Sequence, residues 1–194
     1  MSAGADTAGG AARFCARLLR LFGWRIVLVP PPSTKTVVIG YPHTSNWDFP
    51  LTMLWRFATG FPLHWVAKKE MFENPLGGLF RRWGGVPLDR ASAGGFIDQI
   101  GDEFRRRDGF HLAIAPEGTR RKTAHWKSGF YRLALAADVP LGLAFIDYGT
   151  KTIGIGEWIT LSGERAADLE RIGAFYAGKR GYRPQQAGDI RFND

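Results

Sequence analysis

Two short runs fix most of what this chain can fold into: Val37-Val38-Ile39 and Leu112-Ala113-Ile114-Ala115 are apolar at every position. A strand with one wet face alternates, so runs apolar on both faces belong inside a sheet covered by helices on both sides. Around them, strand-like segments near 24–29, 36–40, 63–67, 111–115, 141–148 and 152–161 alternate with helix-like segments near 49–59, 75–83, 95–107, 129–137 and 165–178. This alternation predicts an α/β fold, with a mostly parallel or mixed sheet flanked by helices. The last two strand segments, on either side of Gly149, are expected to pair as a hairpin.

The 194 residues show no internal repeat and no Pro/Ser/Gly linker, so residues 1–194 are expected to form one domain. The single cysteine, Cys15, excludes an internal disulfide framework and a cysteine-based zinc cluster, and fits a reducing compartment. The expected location is the cytoplasm. Residues 1–10 are Gly/Ala-rich and expected to be mobile. Residues 11–22 then read as a basic amphipathic helix, with Arg13, Arg17 and Arg20 beside Phe14, Leu18 and Leu21 at spacings of three and four. The arginines interrupt any secretory signal, and no apolar run approaches the ~18 residues that span a bilayer. Such a helix either lies in a membrane interface or docks its apolar stripe on its own domain. The net charge of +8 favours anionic partners: nucleic acid, phospholipid headgroups, phosphorylated substrates or acidic carrier proteins.

In helix-covered parallel sheets, sites gather in the loops that follow the carboxyl ends of strands. Two such loops carry reactive side chains. In the first, 41–48, His43 and Asp48 would lie on different faces of a regular helix, ~140° apart. Pro50 favours a first helical turn, so 43–48 reads as an irregular turn able to fold Asp48 back onto His43. The carboxylate can then fix one imidazole nitrogen and leave the other as a base. The alternative is a solvated His43 and an Asp48 that only caps the helix. Metal ligation has no support, since there is no HExxH and His64, His111 and His125 share no ligand spacing with His43. Ser45, Ser92 and Ser128 lack the glycines of a nucleophile elbow.

The second loop, Pro116-Glu117-Gly118-Thr119-Arg120, offers a carboxylate, a flexible backbone, a hydroxyl and a guanidinium, able to orient a polyol and clamp a phosphate. Its bland form is a glycine turn with Glu117 paired to Arg120. Gly84 to Arg90 reads as a glycine turn, a short extended segment and a second arginine, so that Arg90 and Arg120 can converge on one phosphate. Val139-Pro140-Leu141 reads as a strand start.

Taken in order, these pieces resemble the glycerolipid acyltransferase family that contains the 1-acylglycerol-3-phosphate (lysophosphatidic acid) acyltransferases. The resemblance spans residues 36–145. Its four blocks match His43 to Asp48 (the HX4D motif), Gly85 to Arg90, the complete Pro116 to Arg120, and Val139 to Leu141. Arg121 stands where many members continue with Ser, and Leu143 where a second proline is common. The resemblance implies an O-acyltransferase that moves a fatty acyl group from acyl-CoA or acyl carrier protein to a hydroxyl of a phosphate-bearing lysolipid. It implies His43 as general base with Asp48 orienting it, and Arg90, Glu117, Gly118, Thr119, Arg120, Val139 and Pro140 around the acceptor. It implies no metal and no cofactor beyond the thioester co-substrate. The protein would sit peripherally on the inner face of the cell membrane, in phospholipid biosynthesis.

Direct attack fits this set: a thiol with a pKa near ~8.5 leaves without a strong acid, so one base is enough. Backbone N–H groups where the helix at Asp48 starts are the expected donors to the developing oxyanion. The same fold with an amine, glycolipid or sugar hydroxyl as acceptor stays open. A non-catalytic basic module for nucleic acid or membrane is the opposing class, although no helix-turn-helix, RNA-recognition or zinc-finger pattern appears.

Overall fold

The computed structural model describes residues 9–89 and 95–192. Seven strands form one sheet: β1 (Arg25–Leu28), β2 (Lys35–Gly40), β3 (Leu63–Lys68), β4 (Gly85–Leu88), β5 (Phe110–Ile114), β6 (Leu141–Asp147) and β7 (Thr152–Ile159), in the order β1-β7-β6-β2-β5-β3-β4. Strands β6, β2, β5, β3 and β4 run parallel. The expected hairpin is present: β7 turns back antiparallel to β6, and β1 pairs with β7 in parallel. The sheet is therefore mixed, with a five-stranded parallel block. The short extended segment after Gly84 is its edge strand, β4.

Helices α1 (Gly10–Leu21), α2 (Asp48–Thr59), α3 (Gly77–Arg82), α4 (Gly95–Arg106), α5 (Gly129–Ala136) and α6 (Arg165–Tyr176) surround the sheet. The two-faced run in β2 does what its composition demands. Val37 and Ile39 enter a core with Ile100 and Phe104 of α4, Leu133 of α5 and Ile172 of α6. Val38, on the opposite face, enters a second core with Leu19 of α1 and Trp55 of α2. All three β2 residues are at most 1% exposed.

The expected mobile segment lies outside the described residues as far as residue 8, and α1 begins at Gly10. Helix α1 docks on its own domain, but not through the stripe read from its sequence. Cys15 and Leu19, one turn apart, are buried, while Phe14 and Leu21 are 63% and 79% exposed. The helix is rotated so that Cys15 and Leu19 face inward and Leu18 is half-buried, while Phe14 and Leu21 face outward beside the arginines. Burial raises the Cys15 thiol above its ordinary pKa. Among the described residues, no helix is long and apolar enough to cross a membrane.

Candidate active site

Register sets the site. Gly40 of β2 is paired with Ala144 of β6, and Ile39 with Ile114 of β5. Counting onward, the loop after β2 is flanked by Tyr148 on one side and by Glu117 on the other. All three segments leave the same edge of the sheet.

The turn at 43–47 closes as expected, and α2 starts at Asp48. His43 Nδ1 lies 3.0 Å from Asp48 Oδ2. That oxygen also accepts the backbone N–H groups of Thr44 and Ser45, each at 3.0 Å, and Tyr148 donates its hydroxyl to Oδ1 at 2.8 Å. Asp48 is 3% exposed and its lone pairs are occupied on both oxygens, so it is held by the turn rather than capping the helix. His43 is only half-buried.

The N–H groups expected at the start of α2 as oxyanion donors are mostly committed. Those of Thr44 and Ser45 go to Asp48, that of Trp47 goes to Ser45 Oγ, and that of Asp48 to the carbonyl of Ser45.

Glu117 is buried and lines neither of the two cavities described below. Its Oε2 accepts the N–H of His43 and its Oε1 the N–H of Gly188, both at 2.7 Å. Burial raises its carboxyl above the ordinary range, against the pull of those two bonds. The structure thus places Glu117 behind the histidine instead of beside an acceptor, and its ion pair with Arg120 does not form. The turn itself is real: Gly118 donates to the carbonyl of Ala115 and has φ +64°, and a side chain on it would meet Lys127 at 2.9 Å.

Val139 and Pro140 are placed elsewhere. The register Val37 to Leu141 sets Pro140 level with Thr36, at the start of the parallel strands, whereas His43 lies beyond their carboxyl ends. Val139 packs against the core and Pro140 accepts the N–H of Val37. Neither lines either cavity, because β6 runs parallel to β2 and its start is at the far edge from the loops. Arg90 lies outside the described residues.

Two cavities meet at His43. One, of about 520 Å³, runs between α2 and the sheet, walled by Val38, Trp55, Leu63, Trp65, Ala113 and Ile146. The other, of about 1010 Å³, is an open cleft carrying Lys68, Gly118, Thr119, Arg121, Lys127 and Arg132. His43 and Arg120 line both. Arg120 is exposed and has no carboxylate partner among the described residues. The site is therefore an imidazole at the junction of an apolar cavity and a cationic cleft. Among the described residues no group of three or more His, Cys, Asp or Glu can hold a metal.

A model of the acyltransferase family matches residues 29–142, more than half of the chain. The chain belongs to the acyltransferase family. The solved structure of the 1-acyl-sn-glycerophosphate (LPA) acyltransferase PlsC from Thermotoga maritima shares the acyltransferase's fold, with a TM-score of 0.56 over 89% of this chain and 80% of that one, at 19% identity. No curated protein sequence gives a significant match. The family resemblance read from the four blocks holds, and so does the α/β class.

Sequence reasoning missed two supports of this acyltransferase's site, Tyr148 and the C-terminal segment 180–192. That segment braces both loops: Arg183 donates its N–H to Thr44 Oγ1, Tyr41 donates its hydroxyl to the carbonyl of Gly188, and Trp126 donates its N–H to the carbonyl of Arg191. Neither has a local motif, and only the strand order brings them to the loops.

Proposed function

We propose that this acyltransferase moves a fatty acyl group from a thioester, on coenzyme A or acyl carrier protein, to a hydroxyl of a phosphate-bearing lysolipid. One observation carries the reading: His43, paired to Asp48, lies where an apolar cavity opens into a cationic cleft. The apolar cavity suits an acyl chain, the cleft suits anionic groups, and Arg120 at the junction suits a phosphate.

The reaction follows from the pair. His43 Nε2 takes the proton of the acceptor hydroxyl as its oxygen attacks the thioester carbon. Asp48 stabilises the imidazolium that forms. The tetrahedral intermediate collapses with cleavage of the carbon–sulfur bond, and the proton passes from His43 to the departing thiolate. No covalent enzyme intermediate is required.

The same edge of the sheet carries exposed apolar side chains. Leu21, Phe22 and Trp47 are 79%, 61% and 63% exposed, with Arg20 beside the first two and Lys151 donating to the carbonyl of Phe22. Together they form a rim that can enter the headgroup layer of an anionic membrane while His43 faces the lipid substrate. We place the protein as peripheral on the inner face of the cell membrane on this basis.

Release of free thiol from acyl-CoA and from acyl carrier protein, across a panel of lysolipid, amine and sugar acceptors, tests the reading. Mass spectrometry should show an acyl ester of a phosphate-bearing lysolipid. Hydrolysis alone with every acceptor, or transfer only to uncharged acceptors, would contradict it.

A further inference from the structure

We infer that Tyr148 is a positioning residue of the acyl-transfer site, acting on His43 through Asp48. This rests on the reading of His43 as the base. The hydroxyl of Tyr148 donates to Asp48 Oδ1 at 2.8 Å, and His43 lies 3.0 Å from Oδ2 of the same carboxylate. Tyr148 stands beyond the family-matched segment, which ends at residue 142, in the turn between β6 and β7.

The phenol is held where it is. Its ring meets Trp24 edge-on, with centroids 5.2 Å apart, and Tyr182 at 5.3 Å. Its backbone N–H donates to the carbonyl of Arg180 at 2.8 Å. A ring gripped on two sides cannot swing away, so its hydroxyl is a fixed donor. Burial and the bond to Asp48 push the phenol well above its ordinary pKa, which keeps the proton on oxygen at working pH.

That donor does two things. It prevents rotation of the Asp48 carboxylate, whose Oδ2 must face the ring of His43. It also draws negative charge off Oδ1, and so sets how strongly the carboxylate holds the imidazolium that forms on His43. Among the described residues, Glu117 accepts the backbone N–H of His43, and the cleft that His43 lines also carries Lys68, Asp89, Arg120, Arg121, Lys127 and Arg132. Asp48 and Tyr182 are the titratable neighbours of Tyr148. Replacing Tyr148 by Phe removes one oxygen and leaves these groups and the ring contacts in place.

The test is Tyr148→Phe, with the imidazole titration of His43 followed by NMR and the pH profile of kcat/KM measured alongside. The expected result is a His43 titration shifted up by about half a unit or more, with the acid limb of the profile moving the same way. A loss of structure alone would lower turnover at every pH and leave both midpoints unmoved. Midpoints that coincide with wild type would overturn the inference, whatever the change in rate.

His43→Ala in parallel separates the two claims, since turnover surviving that change removes the base assignment and not the hydrogen bond. If Tyr148→Phe does not fold, the wild-type enzyme labelled at tyrosine Cζ decides. A Tyr148 phenol that resists titration at pH 11 in wild type, and that titrates at a lower pH in Asp48→Asn, supports the link. A titration that Asp48→Asn leaves unmoved overturns it.

Discussion

Glu117 holds the backbone of His43: its Oε2 accepts that residue's N–H at 2.7 Å while its Oε1 accepts the N–H of Gly188. The second reactive loop therefore fixes the first, and the C-terminal segment locks both. Removing the carboxylate strands two buried donors at ~1–3 kcal/mol each. In Glu117→Ala the melting temperature should fall by ~5–20 °C. Turnover should fall at least tenfold, while KM for the acceptor stays within about twofold. Steady-state kinetics decide the point, because a risen KM with unchanged kcat would mark Glu117 as a substrate ligand.

Arg120 lines both cavities where they join, and Glu117 lines neither. A charge-assisted hydrogen bond contributes ~1.5–3 kcal/mol, or roughly 10–100-fold. Arg120→Ala should raise KM by that factor for a phosphorylated acceptor and by much less for a neutral one. Equal losses for the two acceptors would remove the phosphate contact.

The two loops and the pairing of His43 with Asp48 were legible because both depend on local signals. These are the strand ends, Pro50 and the spacing of the blocks. Tyr148 and Gly188 were not, since their approach depends on β6 lying beside β2 and on the chain returning past residue 180. Val139 and Pro140 show the converse. Their block is recognisable in sequence, yet the parallel direction of β6 puts it at the wrong edge for chemistry. In α1 the arginine spacing identified the helix, but which apolar residues turn inward, Cys15 and Leu19 instead of Phe14 and Leu21, depends on how the helix sits against the domain.

The outward side chains give a membrane prediction. Replacing Leu21 and Phe22 together by Asp should weaken co-sedimentation with anionic vesicles by about tenfold or more, through lost apolar burial and added repulsion. Thiol release from a water-soluble thioester with a short-chain acceptor should change little. Unaltered vesicle binding would exclude this rim.

Filling the apolar cavity should alter chain preference. Ala113 and Ala144 both line it, and Ala144→Leu adds three carbons to its wall. At ~0.8 kcal/mol per buried methylene, the variant should favour acyl donors shorter by two or more carbons, by severalfold in kcat/KM. The same ranking of donors as wild type would place the acyl chain elsewhere.

His64 sets an acid limit on stability. Burial first, then the nearby charges of Arg107 and Arg56, lower its pKa to about 4. Between pH 6.5 and about 4 the unfolded chain binds a proton there that the folded protein refuses. Stability is then complete above pH 6.5 and falls as the pH drops toward 4, by at most ~3.5 kcal/mol from this residue at ~1.4 kcal/mol per unit. Urea unfolding at pH 7 and pH 4.5 should show the loss, and His64→Leu should flatten it. An equal slope in both proteins would assign the acid sensitivity to other groups.

The most direct measurement of the central claim is single-turnover thiol release by purified His43→Ala. General bases contribute ~10²–10⁴-fold, so release should fall at least a hundredfold at saturating acceptor, with the melting temperature and vesicle binding of wild type. Release within a few fold of wild type by a folded variant would contradict the account.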